Sequence, residues 1–88
     1  MRDLPADERV SVLEGRLLAF VRRDLLGTRP VTIEPETYLF DVGLIDSLKI
    51  LRLIAFLEIQ IGREIPDEDV VMKHFRTVRA MARHFGGT

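Results

Sequence analysis

The chain has 88 residues, with 13 basic and 14 acidic side chains, a formal net charge of −1, no Cys and two His. This length fits a single small domain, residues 1–88, whose core must form without disulfides or Cys-bound zinc. The charge balance lacks the basic excess that nucleic acid or an anionic membrane attracts. Because the two His are ten residues apart in the sequence, we expect no metal site built on them.

The sequence contains no pattern typical of a targeting segment or a membrane span. Four of its first eight residues are charged, and they contain no apolar run of signal-peptide length. The longest apolar-rich stretch, residues 50–61, is interrupted by Arg52, Glu58 and Gln60, so it is too short and too charged to cross a bilayer. We therefore expect a cytoplasmic monomer that binds neither membrane nor nucleic acid.

Apolar residues at spacings of three and four predict three main helices and one short helix. The predicted ranges are 7–26, 47–61, 67–73 and 77–85. Gly27 and Gly62 are suitable ends for the first two helices, and Pro66 with three acids is a suitable start for the short one. No pair of strands is apparent, so the sequence predicts an all-α domain.

A long connection, residues 27–46, joins the first two predicted helices. A loop of this length without secondary structure is unusual in a small domain and is often functional. Its second half is too apolar to remain in water, so we expect it to pack on the core. The residues concerned are Tyr38, Leu39, Phe40, Val42, Leu44 and Ile45.

The connection ends at Asp46-Ser47, directly before the second predicted helix. Asp and Ser are both favoured at helix N-caps, where their side chains accept backbone N–H groups. Capping alone would therefore explain this dipeptide if it stood in isolation.

The surrounding residues 39–48 read L-F-D-V-G-L-I-D-S-L. This segment resembles the phosphopantetheine attachment site of acyl and peptidyl carrier proteins, whose core is G-x-D-S-L. Ile45 is one residue more than that core, a variant that occurs in stand-alone carriers, including D-alanyl and other specialised types. The segment E-I-P-D-E-D at residues 64–69 and the pattern F-x-T-V at residues 75–78 follow in the order of the family.

The resemblance implies a four-helix acyl-carrier-type bundle with a long loop between its first and second helices. It implies that a phosphopantetheinyl transferase esterifies Ser47 with 4′-phosphopantetheine from coenzyme A, and that Asp46 helps the transferase recognise the site. The terminal thiol of the arm would hold a thioester for acyl-loading and acyl-processing enzymes, and the carrier itself would catalyse nothing. Leu48 would lie on the docking surface beside the arm.

The second predicted helix has two apolar faces. The first, which should face the core, contains Ile50, Leu53, Ile54, Leu57 and Ile61. The other contains Leu48, Leu51, Ala55 and Ile59, with Lys49 and Arg52 as basic neighbours. This second face is either buried in the bundle or exposed for partner docking, and the sequence favours neither interpretation.

The charge of the second predicted helix indicates the kind of biosynthetic pathway in which the protein acts. Lys49 and Arg52 follow Ser47, whereas the docking helix of many fatty-acid carriers is richly acidic. The difference favours a dedicated pathway with other partners. A polyketide or other specialised acyl cargo is our first hypothesis, and an aminoacyl or peptidyl cargo is the alternative.

Three other classes of protein are weaker alternatives. A serine hydrolase would need His74 or His84 to reach Ser47, although an ordinary polar or capping role is commoner for such residues. An unmodified helical adaptor would use the second apolar face for protein binding. A DNA-binding domain would use Arg76, Arg79 and Arg83, but the net charge of −1 disfavours it.

Overall fold

The fold is a bundle of helices joined by one long loop. A computed structural model describes residues 3–27, 31–40 and 43–87. Helix α1 spans Ala6–Phe20 and continues as a π-helical turn, Val21–Leu25; the other elements are α2 (Ser47–Ile61), a 3₁₀ turn (Asp67–Asp69), α3 (Met72–Phe75) and α4 (Val78–Gly86). These ranges contain no strand, which confirms the all-α prediction.

The short helix predicted at residues 67–73 differs from the observed structure. A 3₁₀ turn ends at Asp69, and α3 begins only at Met72. Between them Val71 is extended, with φ −131° and ψ 155°. Val70 and Val71 are adjacent β-branched residues, whose side chains are restricted in a helix and favour extended backbone. This preference accounts for the break.

The core draws residues from every helix and from the long loop. Leu13 and Leu17 of α1 are fully buried, as are Leu53 and Leu57 of α2. One face of α4 is also buried, with residues at spacings of three and four: Val78, Met81, Ala82 and Phe85. The three main helices therefore each contribute the apolar face that the periodicity predicts.

Helices α1 and α4 approach closely near Gly86. Gly86, one residue beyond the predicted range 77–85, is the buried final residue of α4. A Cβ atom on Gly86 would lie 3.2 Å from Leu13 Cδ2, tighter than ordinary packing. Arg9 Nε also donates to the Gly86 carbonyl at 3.1 Å. The missing side chain lets the end of α4 lie against α1.

Helices α1 and α2 are joined by an aromatic stack and by polar contacts. The rings of Phe20 and Phe56 stack with centroids 4.2 Å apart. Arg16 Nη1 donates to Gln60 Oε1 at 2.8 Å. Among the described residues, no helix is long and apolar enough to span a bilayer.

The long loop is held to the helices at several points. Arg22 Nη2 donates to the carbonyl of the buried Ile33 at 2.6 Å. The Leu39 N–H donates to the Arg76 carbonyl at 3.0 Å, and the Arg79 N–H to the Pro35 carbonyl at 2.9 Å. The first bond fixes the loop against the end of the first helix, and the other two fix it against the start of α4.

The predicted anchoring of the loop is confirmed for Leu39, Leu44 and Ile45, which are buried, and Phe40 packs half-buried against them. It is wrong for Tyr38, which is 52% exposed. The guanidinium of Arg76 lies 5.5 Å from the centre of the Tyr38 ring, so a cation–π contact holds that ring at the surface. Asp41 and Val42, also part of the motif, lie outside the described residues.

Candidate functional site

A tight turn brings the chain into α2. Gly43 has φ 69°, a backbone conformation that a side chain would strain, and its N–H donates to the Phe40 carbonyl at 3.2 Å. The N–H groups of Leu44 and Ile45 both donate to the Leu39 carbonyl, at 3.1 and 3.3 Å. Leu44 and Ile45 are each only 4% exposed. The additional Ile45 thus serves as a second apolar anchor directly before Asp46.

Asp46 is the N-cap of α2. Its Oδ1 accepts the Leu48 N–H at 3.1 Å and the Lys49 N–H at 2.9 Å. The Asp46 side chain is nevertheless exposed, so its carboxylate remains accessible to another protein. Capping is therefore an observed role of Asp46.

Ser47 is the first residue of α2, and it is exposed. The expectation that it shares the capping role is wrong, because Asp46 accepts the N–H groups at this helix end. Within the part of the chain that the structure describes, no hydrogen bond engages the Ser47 hydroxyl. The structure therefore presents this hydroxyl to solvent at the end of an anchored loop.

The N-terminus of α2 stabilises a bound anion less strongly than the sequence suggests. Free N–H groups at such an end usually favour a phosphate, together with the helix dipole. Here the carboxylate of Asp46 already occupies the N–H groups of Leu48 and Lys49. The field of the α2 dipole thus remains the main favourable contribution of the backbone to an anion near Ser47.

Two substitutions at Asp46 separate the capping hydrogen bonds from the charge of the side chain. Asp46→Ala should lower the free energy of unfolding by about 1 kcal/mol because Oδ1, which accepts both N–H groups, is lost. Asp46→Asn keeps an acceptor oxygen and should cost only about a few tenths of a kcal/mol, while removing the charge. Urea unfolding measures both values. Equal losses of stability in the two variants would show that the cap contributes nothing beyond the charge.

The second apolar face of α2 is exposed, which answers the question left open by the sequence. Leu48, Leu51 and Ile59 are 75%, 63% and 76% exposed, and Ala55 is exposed with them. We call these four residues the α2 strip. Arg52 is exposed beside it, although its Nη1 donates to the Asp24 carbonyl at 3.1 Å, and Lys49 is half-buried. The α2 strip begins one residue after Ser47.

An apolar groove of about 150 Å³ lies between α2 and the segment around α3. Its lining residues are Phe40, Ile50, Val70, Val71, Met72 and Phe75. Sequence reasoning missed this groove. The signal available was the apolar run Val70-Val71-Met72, whose side chains remain partly exposed.

His74 and His84 are brought together by the fold, although ten residues separate them. Their rings stack with centroids 3.5 Å apart and an angle of 11°. Loss of solvent contact, with His84 and Lys73 nearby, lowers the pKa of His74, and Asp69 opposes this shift. No hydrogen bond among the described residues joins either ring to Ser47, as a hydrolase would use.

The arginines of the last segment are partly engaged within the protein. Arg79 Nε lies 3.2 Å from Glu14 Oε2, and Arg79 Nη1 lies 3.4 Å from Glu36 Oε1. The hydrogen bond and the charge of Glu14 raise the pKa of Arg79. Arg76 lies over the Tyr38 ring. The basic surface that a DNA-binding domain would need is thus partly neutralised.

Comparison with known families bears on this geometry. Residues 16–85, which include the anchored turn, Ser47 and α2 to α4, match the phosphopantetheine attachment-site family. The chain is a member of this family. Members of the phosphopantetheine attachment-site family are carrier proteins with a covalently attached 4′-phosphopantetheine, so the resemblance seen in the sequence is confirmed.

Solved structures share this carrier fold. One chain in the crystal structure of an FAD-dependent dehydrogenase is 28% identical with a TM-score of 0.72, over 80% of this chain and 99% of that one. A chain in the structure of Bradyrhizobium japonicum glycine:[carrier protein] ligase complexed with glycylated carrier protein is 19% identical, with a TM-score of 0.63. That match covers 85% of this chain and 95% of the other. No curated protein sequence gives a significant match.

Proposed function

We propose that Ser47 bears the 4′-phosphopantetheine of this carrier and that the protein presents a tethered acyl group to partner enzymes in the cytoplasm without catalysing a reaction itself. The observation that carries the proposal is the exposed Ser47 hydroxyl, which no described residue hydrogen-bonds, at the start of α2. Ser11, the other serine of the chain, lies within α1. Ser47 alone combines accessibility with the end of a long loop.

The residues present at this site fit a phosphodiester-linked arm. In the modification, Ser47 Oγ forms a bond to the pantetheine-bearing phosphorus of coenzyme A, and 3′,5′-adenosine diphosphate leaves. The hydroxyl proton passes to a base of the transferase. Leu44 and Ile45 hold Ser47 in place through their burial, and the exposed carboxylate of Asp46 is available for recognition. When bound, the arm supplies a thiol for a thioester, which a chain without Cys lacks.

The α2 strip is the surface that we propose for docking of the transferase and of the acyl-loading and acyl-processing enzymes. Leu48, Leu51, Ala55 and Ile59 form a contiguous exposed apolar face at helical spacing, and such faces mark sites of protein contact. Lys49 and Arg52 give its Ser47 end a positive character. Partner surfaces with matching apolar and acidic groups are therefore favoured.

A specialised acyl group, such as a polyketide intermediate, is the cargo that we favour, because the helix after Ser47 is basic rather than acidic. The apolar groove beside α3 supports an apolar acyl chain, since its lining residues are all apolar. The likeness to a chain in the structure of an FAD-dependent dehydrogenase makes a flavin-dependent oxidoreductase one processing enzyme to test.

An aminoacyl cargo is the second candidate. The observation in its favour is the structural likeness to a chain from a glycine:[carrier protein] ligase complex with glycylated carrier protein. At 19% identity this likeness shows a shared fold only. It therefore makes an aminoacyl group a candidate cargo without identifying glycine as that group. Mass spectrometry of the thioester on protein recovered from its host distinguishes an acyl from an aminoacyl group.

The proposal predicts that the unmodified protein accepts one arm. Incubation with coenzyme A and a promiscuous phosphopantetheinyl transferase should raise its intact mass by one phosphopantetheinyl group. Ser11→Ala is the matched control, because it removes the other serine and should be modified as completely as the parent. A chain that keeps its original mass, or loses modification through Ser11→Ala, would contradict the assignment.

A further inference from the structure

Three metal-binding side chains converge on the side of the bundle formed by the 3₁₀ turn, α3 and α4. Asp69 ends the 3₁₀ turn, His74 lies in α3 and His84 lies in α4. One donor atom from each of them lies within 4.8 Å of the donors of the other two. Ser47 and the α2 strip belong to a different helix, so this cluster takes no part in the proposed attachment of the arm.

The packing around the cluster restricts its side chains. The two imidazole rings stack at 3.5 Å, and His84 Nε2 lies 3.9 Å from Asp69 Oδ1. The ring of Phe85, which is buried, meets His84 edge-on at 4.7 Å and His74 at 6.2 Å. All three donor residues are half-buried. The cluster thus contacts a buried aromatic ring, and its donor residues remain partly accessible to solvent.

The donor set suits zinc. Two imidazole nitrogens and a carboxylate oxygen are common ligands of Zn²⁺, which binds them at about 2.0–2.2 Å in a tetrahedron. Neighbouring donors of such a tetrahedron are about 3.4 Å apart, so these side chains need to close by about 1 Å or slightly more. The nitrogen lone pairs lie in the ring planes, so at least one of the two stacked rings must also turn out of the stack to point at a shared ion. The half-buried position of all three residues leaves room for this rotation. Mg²⁺ prefers oxygen donors and is disfavoured at this site.

We propose that Asp69, His74 and His84 bind one Zn²⁺, with water as the fourth ligand. The bound ion joins the segment between α2 and α3 to α4. Val70 and Met72, which lie between Asp69 and His74 in the sequence, line the apolar groove together with Ile50. Zinc therefore fixes one wall of that groove in addition to cross-linking two helices.

The amino-acid composition simplifies a zinc-binding measurement. The chain has no Cys and no His besides these two, so competing thiol and imidazole ligands are absent once affinity tags are removed. Untagged full-length protein without the arm, and hence without its thiol, is titrated with zinc chloride by isothermal titration calorimetry. We expect one Zn²⁺ per chain. At a free zinc concentration about one hundred times Kd, the Tm should rise by at least about 10 °C.

Matched variants assign the ligands. Asp69→Asn, His74→Gln and His84→Gln should each weaken zinc binding at least about tenfold. Asp67→Asn is the control: it makes the same chemical change in the same 3₁₀ turn, at an exposed residue outside the cluster, and should change the affinity little. Circular dichroism with a chelator establishes that each variant is folded before the titration.

A spectroscopic readout on the parent protein removes any dependence on the variants. In NMR spectra, zinc should shift the imidazole ring resonances of both His74 and His84, and the shifts should saturate at one equivalent. Magnesium should leave these resonances unchanged. Absence of saturable zinc binding would overturn the proposal. Binding that leaves the two His rings unshifted, or that survives loss of both, would also overturn it.

Discussion

Ser47→Ala should abolish phosphopantetheinylation completely, which is the largest functional effect expected of a single substitution in this chain. The reason is chemical: Ala has no oxygen that can form the phosphoester. The substitution should change the free energy of unfolding by no more than about 0.5 kcal/mol, because Ser47 is exposed and Asp46 provides the cap. Intact mass after incubation with the transferase, and urea unfolding, measure the two quantities.

The combination of these outcomes separates chemistry from folding. An unmodified variant of normal stability supports a direct role of Ser47 as the attachment point. If Ser47→Ala were modified like the parent, the attachment would lie on another residue. If the variant lost more than about 2 kcal/mol in free energy of unfolding, the hydroxyl would have a structural role. The hydrogen bonds of the described residues show no such role.

Truncation of the core should produce the largest loss of stability. Leu57→Ala and Phe85→Ala should each lower the free energy of unfolding by about 2–5 kcal/mol, because both side chains are buried and leave cavities. In a domain of this size, such losses lower the Tm by about 4–8 °C for each kcal/mol. Denaturant unfolding, with m-values compared between variants, provides the measurement.

Leu51→Ala is the matched control for Leu57→Ala. Both substitutions remove the same atoms from α2, but Leu51 is 63% exposed and belongs to the α2 strip. The control should change the free energy of unfolding by no more than about 0.5 kcal/mol. Equal losses from Leu51→Ala and Leu57→Ala would contradict the assignment of one buried and one exposed face, and a larger loss from Leu51→Ala would mean that the two faces are reversed.

Periodicity predicted α2 and α4 well because local sequence and burial agree there. The range 47–61 coincides with Ser47–Ile61, and the buried face of α4 contains the residues that the spacing indicates. Whether the second face of α2 is exposed was beyond the sequence. A strip of Leu48, Leu51, Ala55 and Ile59 fits a buried helix as well as a docking surface, and only tertiary packing decides between them.

Two differences arose where tertiary contacts compete with simple rules, whereas the break at Val70 and Val71 has a local cause. Tyr38 is apolar enough to suggest burial, but a long-range contact with Arg76 holds it at the surface. Glycine commonly ends a helix, but Gly86 lies within α4, at the point where this helix contacts Arg9 and Leu13 of α1. Neither partner is visible from local sequence.

The candidate site was predictable in part. The motif identified Asp46 and Ser47 together, but geometry was needed to assign the cap to Asp46 alone. The cluster of Asp69, His74 and His84 was missed for a different reason: sequence separation suggested that the two His were unrelated, and the turn between α3 and α4 brings their rings into contact.

Localisation of the arm tests the central claim most directly. The modified protein is digested with trypsin and fragmented in the mass spectrometer. Peptide 24–49 contains Ser47 and excludes Ser11, because cleavage follows Arg23 and Lys49 and is blocked before Pro30. We predict that this peptide carries the entire phosphopantetheinyl mass and that its fragments assign it to Ser47. An arm on any other residue, or on no peptide, would contradict the assignment of Ser47 as the attachment site.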